Sequence, residues 1–136
     1  MIAAERAKGM QNFVYMVDTT QSIGQMPVDV TQIGCDFACG TGRKWLRGPR
    51  GLGFLYAKKS ILDDENTLGD PPLLDHIGSE WLIKSERKHA YKVNETADRY
   101  ELCETPRAGQ AQLAVACDEA LEVGLDRIQA RVNMLA

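Results

Sequence analysis

Two small groups of side chains carry most of the chemistry available to this sequence: Asp18 with Gln21 in "VDTTQ", and Thr41, Arg43 and Lys44 in "TGRKWLRGPRG". A lysine amine can bond covalently to a carbonyl compound, and a carboxylate stabilises a cation placed beside it. Hydroxyl and guanidinium groups donate to phosphate. Taken singly, Lys44 reads as a solvated surface lysine and Asp18 as an ordinary strand-end carboxylate. Together they read differently, because each group directly follows a run with strand character. In an open α/β sheet, ligands bind beyond the carboxyl ends of the strands. If the two strands are neighbours, a carboxylate, an amide, a hydroxyl, a guanidinium and an amine converge on one pocket. That set suits a small anionic ring compound that bonds to an amine.

The elements that must position these groups can be read from the apolar pattern. "IAAERAK" (2–8) has the pattern of a helix end closed by Gly9, with no capping residue before it. "FVYMV" (13–17) is a continuous apolar run, as expected for a strand covered on both faces. A short helix near 29–33 precedes a second strand around "CDFAC" (35–39), and after the glycine-rich loop "GLGFLYA" (51–57) reads as a third. From 58 to 96, "LGDPP" and scattered charges predict a long excursion with only short elements. Pro106 marks the start of a helix with Leu113, Cys117, Ala120 and Leu121 on one face, and Gly124 interrupts it. Leu125, Ile128, Val132 and Leu135 then form a second stripe with no stop signal. The pattern is α/β, and both ends read as cuts through a larger protein.

The chain has 136 residues, 44% of them hydrophobic and 26% charged, which is the composition of one globular domain. Its 16 basic and 19 acidic residues give a net charge of -3, so it lacks the positive field of a general nucleic-acid binder. No run approaches the length of a membrane span and no secretory leader is evident. The expectation is a cytoplasmic protein without nucleic-acid or membrane partners. Cys35 and Cys39, read within one strand, would stand ~13 Å apart, too far for a disulfide or a shared metal. Reduced thiols are expected throughout, and no metal, since neither His76 nor His89 has a ligand partner at helical spacing. One rival reading takes "GRKWLRGPRG" as an RNA-contacting loop with Trp45 stacking on a base. The acidic remainder of the chain counts against it.

Pyridoxal 5′-phosphate fits the converging set, because its aldehyde needs a lysine, its ring nitrogen an anion and its phosphate donors. At this point a resemblance becomes specific. "VDTTQSIGQMPVDV" followed by "GCDFACGTGRKWLRGPRGLGFLY" resembles the class V aminotransferase family of pyridoxal-phosphate enzymes, which includes cysteine desulfurases and selenocysteine lyases. "RYELCETPRAGQAQLAVACDEALEVGLDRI" is similar to the family's segment at the end of the cofactor domain. The resemblance implies a fold type I architecture, a mostly parallel sheet flanked by helices. Residues 1–124 would be the second half of the large cofactor domain, and 125–136 the start of a helix leading to a C-terminal small domain.

Residue by residue, the resemblance implies that Lys44 forms the internal aldimine and moves protons at the substrate α-carbon. It pairs Asp18 with the pyridinium nitrogen and Gln21 with the ring hydroxyl oxygen. Thr41 and Arg43 fall at phosphate-contacting positions, with Arg43 standing where desulfurases commonly carry histidine. Thr105 corresponds to a threonine that reaches the partner subunit's phosphate in a homodimer. The implied activity is a desulfurase-like carbon–sulfur lyase acting on a small amino acid. Transamination, epimerisation and a non-catalytic fragment are the alternatives, and the 136-residue chain alone is expected to be inactive.

Overall fold

In the computed structural model, which describes residues 13–64, 70–83 and 89–136, the apolar run at 13–17 joins the sheet only at its end. Strand β1 is Met16–Asp18, shorter and later than expected. The reason lies one residue upstream. The Tyr15 carbonyl accepts from both Asp36 N–H and Phe37 N–H (2.8 and 3.1 Å), while Tyr15 N–H donates to the Asp36 carboxylate at 2.9 Å. A side chain thus takes the place of a strand partner there. The helix expected over residues 2–8 lies outside the described residues.

Helix α1, Val30–Ile33, is set by its caps: the Asp29 carboxylate accepts from the N–H groups of Thr31 and Gln32, and Gly34 leaves with φ 72°. Cys35 lies in that exit turn, its thiol 3.9 Å from the Val30 carbonyl, so the second strand starts later than the expected 35–39. Strand β2 is Phe37–Thr41. The two cysteines therefore do not share a strand, and all four cysteines are free thiols.

Strands β1 and β2 run parallel in the register Met16 to Phe37, Val17 to Ala38 and Asp18 to Cys39. Strand β3, Gly53–Ala57, lies on the other side of β2. Its pairing runs the opposite way, since Gly42 N–H donates to the Leu52 carbonyl and a Cβ on Gly53 would stand 2.4 Å from the Gly40 oxygen. The described sheet is mixed, with its parallel pairing confined to β1 and β2.

The chain forms two compact units, and the first comprises Met1–Tyr56 with Pro106–Ala136. Its interior holds Cys35, Ala38, Leu46, Ala116 and Ala120. Helix α3, Arg107–Val123, meets the glycine-rich loop through Leu113, whose Cδ1 would lie 2.6 Å from a Cβ on Gly42 and 2.9 Å from one on Gly48. Leu113, Ala116 and Ala120 set the buried face. Leu121 was expected on it but is 68% exposed, because it sits a full 100° step past Ala120. Gly124, at φ 90°, separates α3 from α4, Leu125–Leu135. Leu125, Ile128 and Val132 are half-buried, whereas Leu135 at the end of that stripe is 68% exposed.

The second unit, Ala57–Thr105, contains the stretch 58–96 that was expected as an excursion and continues beyond it to Thr105. It holds the single-turn helix α2, Lys59–Leu62, and a 3-10 turn at Ala97–Tyr100. Between them lies an antiparallel hairpin not apparent in the sequence, β4 (Ser79–Ile83) with β5 (His89–Val93), in which Trp81 faces Tyr91. Among the described residues no helix is long and apolar enough to cross a membrane.

Candidate active site

Asp18 closes β1, and the chain turns at once. Thr19 donates to the Cys39 carbonyl through both its N–H and its hydroxyl, each at 2.8 Å, which fastens the end of β1 to β2. Thr20 N–H donates to Asp18 Oδ1 at 2.8 Å. The Thr20 hydroxyl first and then this N–H hold the Asp18 carboxyl below its ordinary value, and the positive charge of Lys44 lowers it slightly further. Asp18 is therefore an anion at neutral pH, within electrostatic reach of the Lys44 ammonium.

The Lys44 loop is built from backbone bonds. Gly48 N–H donates to the Gly42 carbonyl at 2.8 Å and Arg47 N–H to the Lys44 carbonyl at 2.9 Å. Arg47 closes the turn at φ 62°, a left-handed conformation that costs a non-glycine residue about 1–2 kcal/mol. Its guanidinium meets Glu119 of α3 at 3.5 Å, so Arg47 holds the loop against the helix, although so exposed a pair contributes little by itself. Leu46, only 6% exposed, anchors the loop inward and leaves Lys44 half-buried beside it.

The loop after β1 packs directly on this one. A Cβ on Gly24 would stand 2.6 Å from Leu46 N and 2.7 Å from the Trp45 carbonyl carbon, so the two backbones touch where only glycine fits. Between them opens a cavity of about 650 Å³ lined by Gln21, Lys44, Trp45, Val123 and Ile128 among others. The amine and the amide face one space with a largely apolar wall.

Gln21 and Lys44 thus share one cavity, while Asp18 is not among its lining residues and is linked to Lys44 only through the electrostatic influence noted above. Thr41 stands at the end of β2, but its hydroxyl already donates to the Leu52 carbonyl at 3.2 Å. Arg43 is exposed beside Lys44. Thr105 belongs to the second unit, where its N–H donates to the Cys103 carbonyl at 2.9 Å. Gly24 and Val123 were not singled out from the sequence, and Ile128 was read only as part of an apolar helix stripe. A glycine shortly after a strand-end carboxylate was the available signal for the first, Val123 gave none beyond its apolar type, and the stripe at Ile128 did not say what it faces.

The sequence matches the aminotransferase class-V family over residues 3–136. The chain belongs to that family. Within it, this class-V chain is 34% identical over 123 residues to a probable cysteine desulfurase of Pyrococcus abyssi, covering 90% of the chain and 28% of that protein. It is 32% identical over 133 residues to a cysteine desulfurase of Haloferax volcanii, covering 98% of the chain and 29% of the relative. Among solved structures, the apo cysteine desulfurase of Thermococcus onnurineus superposes with a TM-score of 0.74 at 28% identity, over 93% of this chain and 29% of that one. A cysteine desulfurase of Escherichia coli gives 0.71 at 25% identity with the same coverages. The class-V chain therefore spans less than a third of the length of these relatives.

Proposed function

We propose that the chain is part of a pyridoxal 5′-phosphate enzyme with desulfurase-like carbon–sulfur lyase activity on a small amino acid, working in the cytoplasm as a homodimer. The observation that carries this reading is the cavity shared by Lys44 and Gln21 beside the ends of the parallel strands β1 and β2, the first of which ends on Asp18. Names of relatives support the lyase over the transaminase or epimerase alternative.

The donor set fits the cofactor. A ring nitrogen that must stay protonated needs a lasting anion, and Thr20 keeps Asp18 in that form. An aldehyde needs an amine that points into a cavity with room for a ring, and Lys44 lines one of about 650 Å³. When bound, the cofactor supplies an electron sink for charge developing at the substrate α-carbon.

The chain's own residues have separate tasks in this reading. Lys44 would hold the cofactor through its Nζ, and its amine would serve as the base for the α-carbon proton. Asp18 keeps the ring nitrogen's proton in place. Gln21 would orient the ring by donating to its hydroxyl oxygen, and Trp45, Val123 and Ile128 would give it an apolar wall. Arg43, with its exposed guanidinium, would meet the phosphate, and Thr41 would join it only by turning its hydroxyl proton away from the Leu52 carbonyl. Thr105 serves the partner subunit's phosphate. In this arrangement residues 1–124 form the second half of the large cofactor domain and 125–136 open the connection to the small domain.

The test is borohydride reduction of the full-length protein with pyridoxal 5′-phosphate, followed by peptide mapping. The label is expected on Lys44, with alanine formed from cysteine by the unreduced enzyme and the sulfur recovered as sulfide when a thiol reductant is added. A label on Lys58 or Lys59 instead would overturn the assignment.

A further inference from the structure

The second unit brings together three side chains that the sequence keeps apart. Asp75, His76 and Cys103 each offer one ligating atom, and these atoms lie within 4.8 Å of one another. We propose that they form a binding site for one zinc-class divalent cation, separate in its residues from the Lys44 site.

Geometry supports this first. In a tetrahedral zinc site with bonds of ~2.0–2.3 Å, ligand atoms stand roughly 3.3–3.7 Å apart. The His76 Nδ1 to Asp75 Oδ1 separation is already 3.1 Å, and closing the remaining distances takes about an ångström of movement. His76 can supply it, since its side chain is 70% exposed. The other two ligands are held. Asp75 Oδ1 accepts from Ile77 N–H and Oδ2 from Cys103 N–H, each at 3.0 Å, and the Ser79 hydroxyl donates to the Asp75 carbonyl at 2.9 Å. Each carboxylate oxygen has two lone pairs, so one remains on each for a metal.

Chemistry supports it second. A thiolate, an imidazole and a carboxylate make a mixed sulfur, nitrogen and oxygen set that favours zinc over magnesium or calcium. Three protein ligands leave a fourth position for water. Without metal, the Cys103 N–H and thiol hold the Asp75 carboxyl down to about 2, and Asp75 in turn pushes the Cys103 thiol up. Metal binding replaces that shared proton: the sulfur forms a metal bond, and one proton passes to solvent for each ion bound. The bond would span 28 residues of chain, closing the second unit between the 75–79 turn and the segment that leads to Thr105.

Cobalt(II) is the probe, added to the full chain after chelator treatment and reduction. One equivalent should produce a thiolate-to-cobalt charge-transfer band that one equivalent of zinc abolishes. Cys103→Ser should lose the band, His76→Gln should weaken binding tenfold or more, and Cys117→Ser should leave both unchanged. Circular dichroism of each variant confirms that the fold is kept. No band, a band that survives Cys103→Ser, or an affinity unmoved by His76→Gln would each overturn the site. None of these readouts depends on pyridoxal 5′-phosphate, so the outcome is independent of the proposed activity.

Discussion

Thr19 holds the Cys39 carbonyl twice, through its N–H and its hydroxyl, at 2.8 Å each, and it does so while only 2% exposed. The double bond to one oxygen fastens the two strand ends from which Asp18 and the Lys44 loop depart. Thr19→Val keeps the shape and the N–H bond but loses the hydroxyl, which should cost about 1 kcal/mol. Thr19→Ser should lose less. Urea unfolding measures both, and a valine variant as stable as the parent would show that the hydroxyl bond adds nothing.

The contact between the two loops makes a sharper prediction at Gly24. Alanine there faces both φ 86° and backbone atoms 2.6 and 2.7 Å from its Cβ, so it should cost at least ~3 kcal/mol. Gly34 provides the control, since φ is 72° but nothing lies within 4 Å of the added Cβ. Gly34→Ala should cost only the conformational ~1–2 kcal/mol. Equal losses at the two positions would mean that the loops do not bear on each other.

Asp18→Asn keeps the shape at the ring nitrogen and removes the charge. In the full-length enzyme with cofactor, single-turnover measurements should show α-proton removal slowed about a hundredfold while cofactor capture by Lys44 persists. The pH dependence has a definite sign. The folded carboxyl titrates below its ordinary 3.8, so its contribution to stability is complete above 3.8 and is lost as pH falls through the lower folded value. Acid unfolding of Asp18→Asn should accordingly be less steep in that range than that of the parent.

Leu113 fills the space above two loop glycines, with Cδ1 2.6 and 2.9 Å from the positions their Cβ atoms would take. Leu113→Ala should cost about 2 kcal/mol, the low end for a leucine truncation because the side chain is half-buried. The loop should also loosen. Faster amide exchange at Gly48, whose N–H closes the loop on the Gly42 carbonyl, is the expected signature.

The residues closest to the proposed chemistry were legible because their signal is local. "VDTTQ" and "TGRKW" each place reactive groups at the end of one strand, and parallel pairing of β1 with β2 was enough to bring Asp18 within electrostatic reach of Lys44. Boundaries were less legible where a side chain stands in for backbone, as Asp36 does beside Tyr15. The face of α3 was read correctly at Leu113, Cys117 and Ala120 but one edge was misjudged, since periodicity does not say whether Ala116 or Leu121 turns inward. The Asp75, His76 and Cys103 cluster was out of reach, because 28 residues separate Asp75 from Cys103 and only the fold of the second unit closes that distance.

The clasp between Tyr15 and Asp36 has a consequence for alignment. Strand side chains alternate faces with a period of two, so sliding β1 by one residue along β2 would turn Asp18 to the opposite face of the sheet. Backbone ladders alone permit such a slip, since every rung looks alike. Asp36, 1% exposed and bonded to Tyr15 through both its carboxylate and its own N–H, makes one rung unlike the rest. It acts as an index pin that sets the phase of Asp18 against Lys44, so a substitution at residue 36 would reach the chemistry as a timing fault between two side chains that are themselves unchanged.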